Sequence, residues 1–143
     1  MLAVKDLMTT RLITLSPMDT IKTARETMEK HRIRHLPVVT EQNDFVGLVS
    51  HRDILKASIS KFADLHDDVR DQIESGIPVP EVMTTEIMTV SSNAPLQQAG
   101  KLLLTYKYGC LPVLEDKKLC GILTETDFLK LALQLIDEKE QAE

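Results

Sequence analysis

Slid 75 positions along itself, this sequence meets its own copy. Met8-Thr9-Thr10 falls on Met83-Thr84-Thr85, Thr14 on Thr89, Ser16 on Ser91 and Ala24 on Ala99. Leu36-Pro37-Val38 falls on Leu111-Pro112-Val113. One residue is then lost in a loop, and Gly47, Asp53, Leu55 and Lys56 meet Gly121, Asp127, Leu129 and Lys130 at an offset of 74. An internal duplication restricts the fold, because whatever one half builds the other must build again. A half of about 55 residues is marginal as an independent domain. The two are therefore expected to bury their sheets against each other as a pseudo-twofold pair, one compact module.

Each half carries the same order of signals. Residues 4–9 read as a helical turn and Leu12–Leu15 as a short strand. A helix follows from about Thr20 to His31, with Ile21, Ala24, Thr27 and Met28 on its inner face. Pro37–Thr40 and Phe45–Ser50 read as two strands joined by the polar loop Glu41–Asp44, and a helix from about His51 to Ile59 closes the half. In the second half the strands fall near Ile87–Val90, Leu111–Leu114 and Leu119–Thr124, with a turn at Asp116-Lys117. Its helices fall at about Pro95–Lys107 and Glu125–Glu138, and Lys139–Glu143 reads as a frayed end. The fold class is α+β, built of two β-α-β-β-α repeats over residues 1–59 and 80–143. Residues 60–79 form a helical linker in which Phe62, Leu65, Val69 and Ile73 recur at helical spacing, expected to cover a sheet edge or a dimer seam.

The chemistry concentrates at a copied strand-to-helix corner. Gly47-Leu48-Val49-Ser50-His51-Arg52-Asp53 recurs as Gly121-Ile122-Leu123-Thr124-Glu125-Thr126-Asp127. The hydroxyl residue is a good N-cap, with free backbone N–H groups just beyond it that suit an anion. The aspartate lies one turn along, and a carboxylate suits a pair of sugar hydroxyls. A phosphate site beside a sugar site describes a nucleotide. The plainer reading is a capping box, in which each acid serves only its own helix.

Composition narrows the alternatives. The chain has 143 residues, 43% of them hydrophobic but only three Phe, two Tyr and no Trp, so its core rests on Val, Ile, Leu and Met. Met8, Met28, Met83 and Met88 read as core filler. Net charge is −5, which disfavours nucleic-acid backbones. No leader-like or membrane-spanning run is seen, and the location expected is cytoplasmic. Cys110 and Cys120 lack metal spacing and read as buried reduced thiols, with a pair across one hairpin left open. His31, His51 and His66 lie on polar helix faces. No metal, cofactor or nucleophile–base set emerges from the residues.

With its Leu-Pro-Val strand and Gly-x-x-(Ser/Thr)-x-x-Asp corner in both halves, residues 4–58 and 80–137, the chain resembles a CBS-domain pair. That resemblance implies a non-enzymatic regulatory module binding AMP, ADP, ATP or S-adenosylmethionine in two clefts between the halves. It also implies a flat homodimer and an unidentified target protein. Carried over by motif, Asp53 and Asp127 would hold ribose, and Ser50 and Thr124 the phosphates. The segments around Thr10–Ile13 and Thr85–Met88 would line adenine, walled by Pro37 and Pro112. The residues before Leu-Pro-Val commonly bring positive charge to the opposite cleft, and here they differ: Arg34-His35 in one half, Gly109-Cys110 in the other. The Asp127 cleft, served crosswise by Arg34 and His35, should accept a longer or more charged phosphate chain. The Asp53 cleft relies on its own His51 and Arg52, with Lys107 in reach. The competing function is a structural dimerisation module whose clefts are vestigial.

Overall fold

The computed structural model describes residues 1–62, 66–107 and 109–143. The chain is mixed α+β and divides into two compact units: Ile13–Ile87, and Met1–Leu12 together with Met88–Glu143. Each is described separately below.

In the unit of residues 13–87, Thr20 caps helix α1 (Ile21–His31), its hydroxyl accepting the Thr23 N–H at 3.3 Å. The buried positions Ile21, Ala24 and Met28 follow helical spacing. Thr27, expected beside them, is only half-buried and donates its hydroxyl to the Thr23 carbonyl at 2.7 Å. The helix stops at Arg32, whose φ of 55° closes the last turn by an N–H bond to Met28. Glycine usually takes this left-handed position, and a side chain there costs about 1 kcal/mol.

Strands β1 (His35–Val39) and β2 (Phe45–Ser50) pair antiparallel, Leu36 facing Val49 and Val38 facing Gly47, with a bulge after Val38. The strand expected over Leu12–Leu15 shrinks to one parallel bridge. Leu15 donates to Pro37 and accepts from Val39, and its neighbours make no ladder bonds. Helix α2 (His51–Phe62) leaves β2 without a loop. Leu15, Ile21, Leu36, Val38, Val49, Ile54 and Val79 fill one core.

The linker is not the single helix its spacing implied. After α2, His66 is extended and begins a separate helix α3 (Asp67–Glu74); Leu65, grouped with the linker apolar positions, lies outside the described residues. Instead of a sheet edge, α3 covers the flank of α1. Arg25 donates from Nε to Glu74 at 2.9 Å and from its terminal nitrogen to Asp71. Arg70 Nε stands 3.4 Å from the other Glu74 oxygen. Glu74 is fully buried. Burial opposes the Arg25 charge, but Glu74 outweighs it, with help from Asp71 and Glu29, and holds the guanidinium pKa above its usual value.

The other unit repeats the plan. Helix α4 (Leu96–Tyr106) also ends on a basic left-handed residue, Lys107 at φ 55°. Strand β3 (Val90–Ser91) is two residues long, sharing only Val90 with the expected Ile87–Val90, and runs parallel to β4 (Cys110–Glu115). β4 pairs antiparallel with β5 (Lys118–Thr124) through a tight turn in which Asp116 and Lys117 both have positive φ. The bulge recurs at Val113/Leu114. Helix α5 runs Glu125–Ala142, so the C-terminal residues expected to fray remain helical. Val4, Leu96, Ala99, Leu103, Leu111, Val113 and Leu123 form the second core.

Each sheet borrows an edge from the other copy of the repeat. Thr9, in the first copy by sequence, bonds Ile122 of β5 in both directions at 2.8 and 3.0 Å. Thr84, in the second copy, bonds Leu48 of β2 in both directions at 2.8 and 2.9 Å. The Met-Thr-Thr segments are thus exchanged between the duplicated halves.

The Glu74 cluster yields the first prediction. Truncating one member of a buried ion cluster leaves its partners unpaired, so Glu74→Ala should destabilise the protein by about 3 kcal/mol in urea unfolding. A loss under about 0.5 kcal/mol would show that α3 docks without this cluster.

Candidate functional site

The corner glycines are explained by the borrowed segments. A Cβ on Gly47 would lie 2.7 Å from Met83 Sδ and 3.2 Å from the Thr84 carbonyl oxygen. On Gly121 it would lie 2.6 Å from Met8 Sδ and 3.1 Å from the Thr9 carbonyl. A methyl group at either position would push the methionine aside and crowd the borrowed backbone. Met8 and Met83 are therefore docking side chains laid on the corner, partly buried against their cores. Met28 is core as expected, whereas Met88 is exposed and fills none.

At the first corner, Ser50 and Asp53 form a reciprocal capping box. Asp53 Oδ2 accepts the Ser50 N–H at 2.8 Å, and Ser50 Oγ accepts the Asp53 N–H at 3.1 Å. The His51 N–H goes to the Arg34 carbonyl at 2.8 Å. Two donors expected to stand free for an anion are therefore already engaged, one by the carbonyl of the residue just before β1 and the other by the Ser50 hydroxyl. Arg34, His51 and Arg52 are exposed, while His35, Ser50 and Asp53 are partly buried.

At the second corner, Asp127 Oδ2 accepts the Thr124 N–H at 2.9 Å, and the Thr124 hydroxyl turns toward the same oxygen at 3.4 Å. The other oxygen, Oδ1, accepts the Thr9 hydroxyl at 2.8 Å. Asp127 is 8% exposed, one of two buried charged residues among those described. Thr9 was absent from the candidates drawn from sequence. Its signal was the repeat of Met-Thr-Thr, whose middle residue had no assigned work.

The plainer reading of the corner is thus realised as far as capping goes: both acids serve their own helices. Capping does not exhaust a carboxylate, which offers about four lone-pair positions. It also holds the group in one orientation, with hydroxyl side chains beside it.

The remaining candidates divide between the units. Ile13, Pro37 and Thr85 belong with the Asp53 corner; Thr10, Met88 and Pro112 belong with the Asp127 corner. Thr10 and Thr85 are exposed and Ile13 packs on the first core. Pro37 and Pro112 are fully buried within their strands, so they shape the sheet and present no open wall.

The cysteines do not face each other, since Cys110 sits opposite Thr124 in the hairpin register. Both are free; Cys110 is buried and Cys120 half-buried, its thiol 3.4 Å from the Val113 carbonyl. Burial, with a smaller contribution from the Asp127 charge, pushes the Cys110 thiol up to about 12. A thiol so placed stays protonated and inert near neutrality.

The CBS domain family model matches the chain twice, over residues 4–60 and 79–134. Among curated proteins, the CBS domain-containing protein YhcV of Bacillus subtilis is 33% identical over 127 residues, covering 89% of this chain and 83% of that protein. Among solved structures, a Vibrio cholerae protein assigned to acetoin utilization, AcuB, is 34% identical with a TM-score of 0.84, over 100% of this chain and 98% of that one. CBSX2, solved in complex with AMP, is 30% identical with a TM-score of 0.77 over 93% and 97% of the two chains. The CBS domain pair of protein MJ0100, solved with 5′-methylthioadenosine and S-adenosyl-L-methionine, is 26% identical. Its TM-score is 0.74, over 91% and 94%.

The glycine–methionine contact is testable by itself. Overpacking of this kind costs about 1–3 kcal/mol, so Gly121→Ala should lower stability by that amount in denaturant unfolding. Combining it with Met8→Ala should lose less than the two single changes add up to. Additive losses would mean that Met8 does not press on Gly121.

Proposed function

The chain belongs to the CBS domain family, carrying two copies, and from that premise we propose that it is a regulatory module which binds adenosine-containing ligands. The observation that carries this reading is the copied corner itself. In each unit a carboxylate is held in a fixed orientation by its own helix start, with hydroxyl side chains within reach. A carboxylate so oriented accepts both hydroxyls of a ribose without first being ordered. That two similar structures hold AMP, or S-adenosyl-L-methionine and 5′-methylthioadenosine, supports the same chemistry. Ser50, Thr124, Arg34, His35, His51 and Arg52 would serve the phosphates. Thr10, Ile13, Thr85 and Met88 would serve the base.

Binding would favour one conformational state of the module, read by a target protein; a ligand that binds all states equally would transmit nothing. A second copy of the chain is the proposed partner in assembly. Leu129, Leu133 and Ile136 are exposed along one stripe of α5, and Leu55, the counterpart of Leu129, is exposed on α2.

The capping bonds give the structural-module reading a specific footing, since they give Ser50, Asp53 and Asp127 a role without any ligand. Thermal unfolding separates the two. A ligand at 100 times its dissociation constant stabilises by about 2.7 kcal/mol. AMP, ATP or S-adenosylmethionine should thus raise the melting temperature by several degrees and saturably, and Asp53→Ala/Asp127→Ala should abolish the rise. A flat response to all three compounds would leave scaffolding as the function.

A further inference from the structure

We infer that the Thr9 hydroxyl is a built-in competitor for the sugar-binding carboxylate of its unit, so that the Asp127 site binds its ligand more weakly than it would without that hydroxyl, a handicap the Asp53 site does not carry. The inference deepens the adenosine-binding reading and rests on it.

The two corners match in backbone and differ in closure. Thr9 and Thr84 occupy equivalent sequence positions and make the same two backbone bonds to β5 and β2. Thr9 also donates its hydroxyl to Asp127 Oδ1 at 2.8 Å, while the Thr124 N–H holds Oδ2 at 2.9 Å. Both oxygens of Asp127 are thereby engaged in a group that is 8% exposed. Among the described residues no bond joins the Thr84 hydroxyl to Asp53. There the Ser50 N–H takes Oδ2 at 2.8 Å, and the carboxylate is more open.

A ribose donates two O–H bonds to one carboxylate. At Asp53 it meets an oxygen with room for a donor. At Asp127 the Thr9 hydroxyl already sits on Oδ1 of a group only 8% exposed, so the ribose competes with it for the little open approach that remains. Where the ribose wins, it exchanges one charge-assisted bond for another and leaves a threonine to find a new partner. That exchange removes part of the gain from the Asp127 site alone. It acts in the opposite direction to the Arg34-His35 asymmetry, which concerns the phosphate end. Comparisons made within one site cancel the phosphate contribution.

The test is calorimetric titration with AMP in chains that keep one site each. In Asp53→Ala, which retains the Asp127 site, adding Thr9→Val should tighten AMP binding about 3- to 10-fold, the worth of one hydrogen bond. Thr9→Ser, which keeps the hydroxyl, should hold the affinity of the Asp53→Ala parent. In Asp127→Ala, adding Thr84→Val should change affinity by less than about twofold. Circular dichroism checks that each variant is folded, and Thr9→Ala replaces Thr9→Val should valine disturb the packing. An unchanged or weakened affinity in Asp53→Ala/Thr9→Val overturns the inference, because Thr9 would then be idle or would help to orient Asp127. If the unmutated chain binds neither AMP nor S-adenosylmethionine, and Thr9→Val does not expose binding, the adenosine reading falls together with it. Binding by the unmutated chain without a gain in Thr9→Val removes the competitor alone.

Discussion

A methionine laid over a glycine holds each corner of this protein. The strand that ends in Ser50 or Thr124 carries no side chain at its first corner position, so a Met-Thr segment lies directly on the backbone. Two backbone hydrogen bonds then fix the segment as a sheet edge. The next elements follow from that contact. The edge strand is capped, the corner is rigid, and the helix begins where the strand stops. Because the segment that docks comes from the other copy of the repeat, neither half of the sequence completes a sheet from its own residues. A half-chain fragment would expose the edge of β2 or β5 and leave the methionine without its seat.

Much of this was legible in the sequence because the duplication checks every reading twice. β2 appeared with its observed ends, α1 within one residue, and the hairpin turns where polar residues and Asp116-Lys117 placed them. What was missed has physical causes. A single bridge at Leu15 carries the same apolar alternation as a full strand. The linker kept helical spacing across a break because periodicity reports which face is apolar, not whether the backbone is continuous. The burial of Glu74 could not be seen, since an acidic residue in a charged stretch reads as solvated until two arginines are brought around it.

At the site, the residue types and their spacing were legible, but their occupancy was not. Sequence shows an alcohol and an acid one helical turn apart and cannot say whether they bond each other. They do at Ser50–Asp53, and at the other corner the Thr124 N–H and hydroxyl both point to Asp127. The exchange of segments was equally hidden, because a motif read within its own half assigns Thr9 to the wrong corner. Thr9 meets Asp127 across 118 positions of chain.

Capping and ligand binding are not rivals for these acids in the way the sequence posed them. A carboxylate that receives a backbone N–H on one oxygen is pinned in rotamer and direction, which is the ordering a ligand would otherwise have to impose. Its second oxygen then decides what the site can do. In one unit that oxygen is met by a hydroxyl of the borrowed edge; in the other, the matching threonine makes no such bond. Duplication supplied two matching backbone frames, and side-chain contacts, that of Thr9 with Asp127 foremost, distinguish them. Two sites graded in the way proposed would respond over a wider range of concentration than two identical ones. A module that reports on the level of a metabolite gains from that range, whereas a scaffold does not.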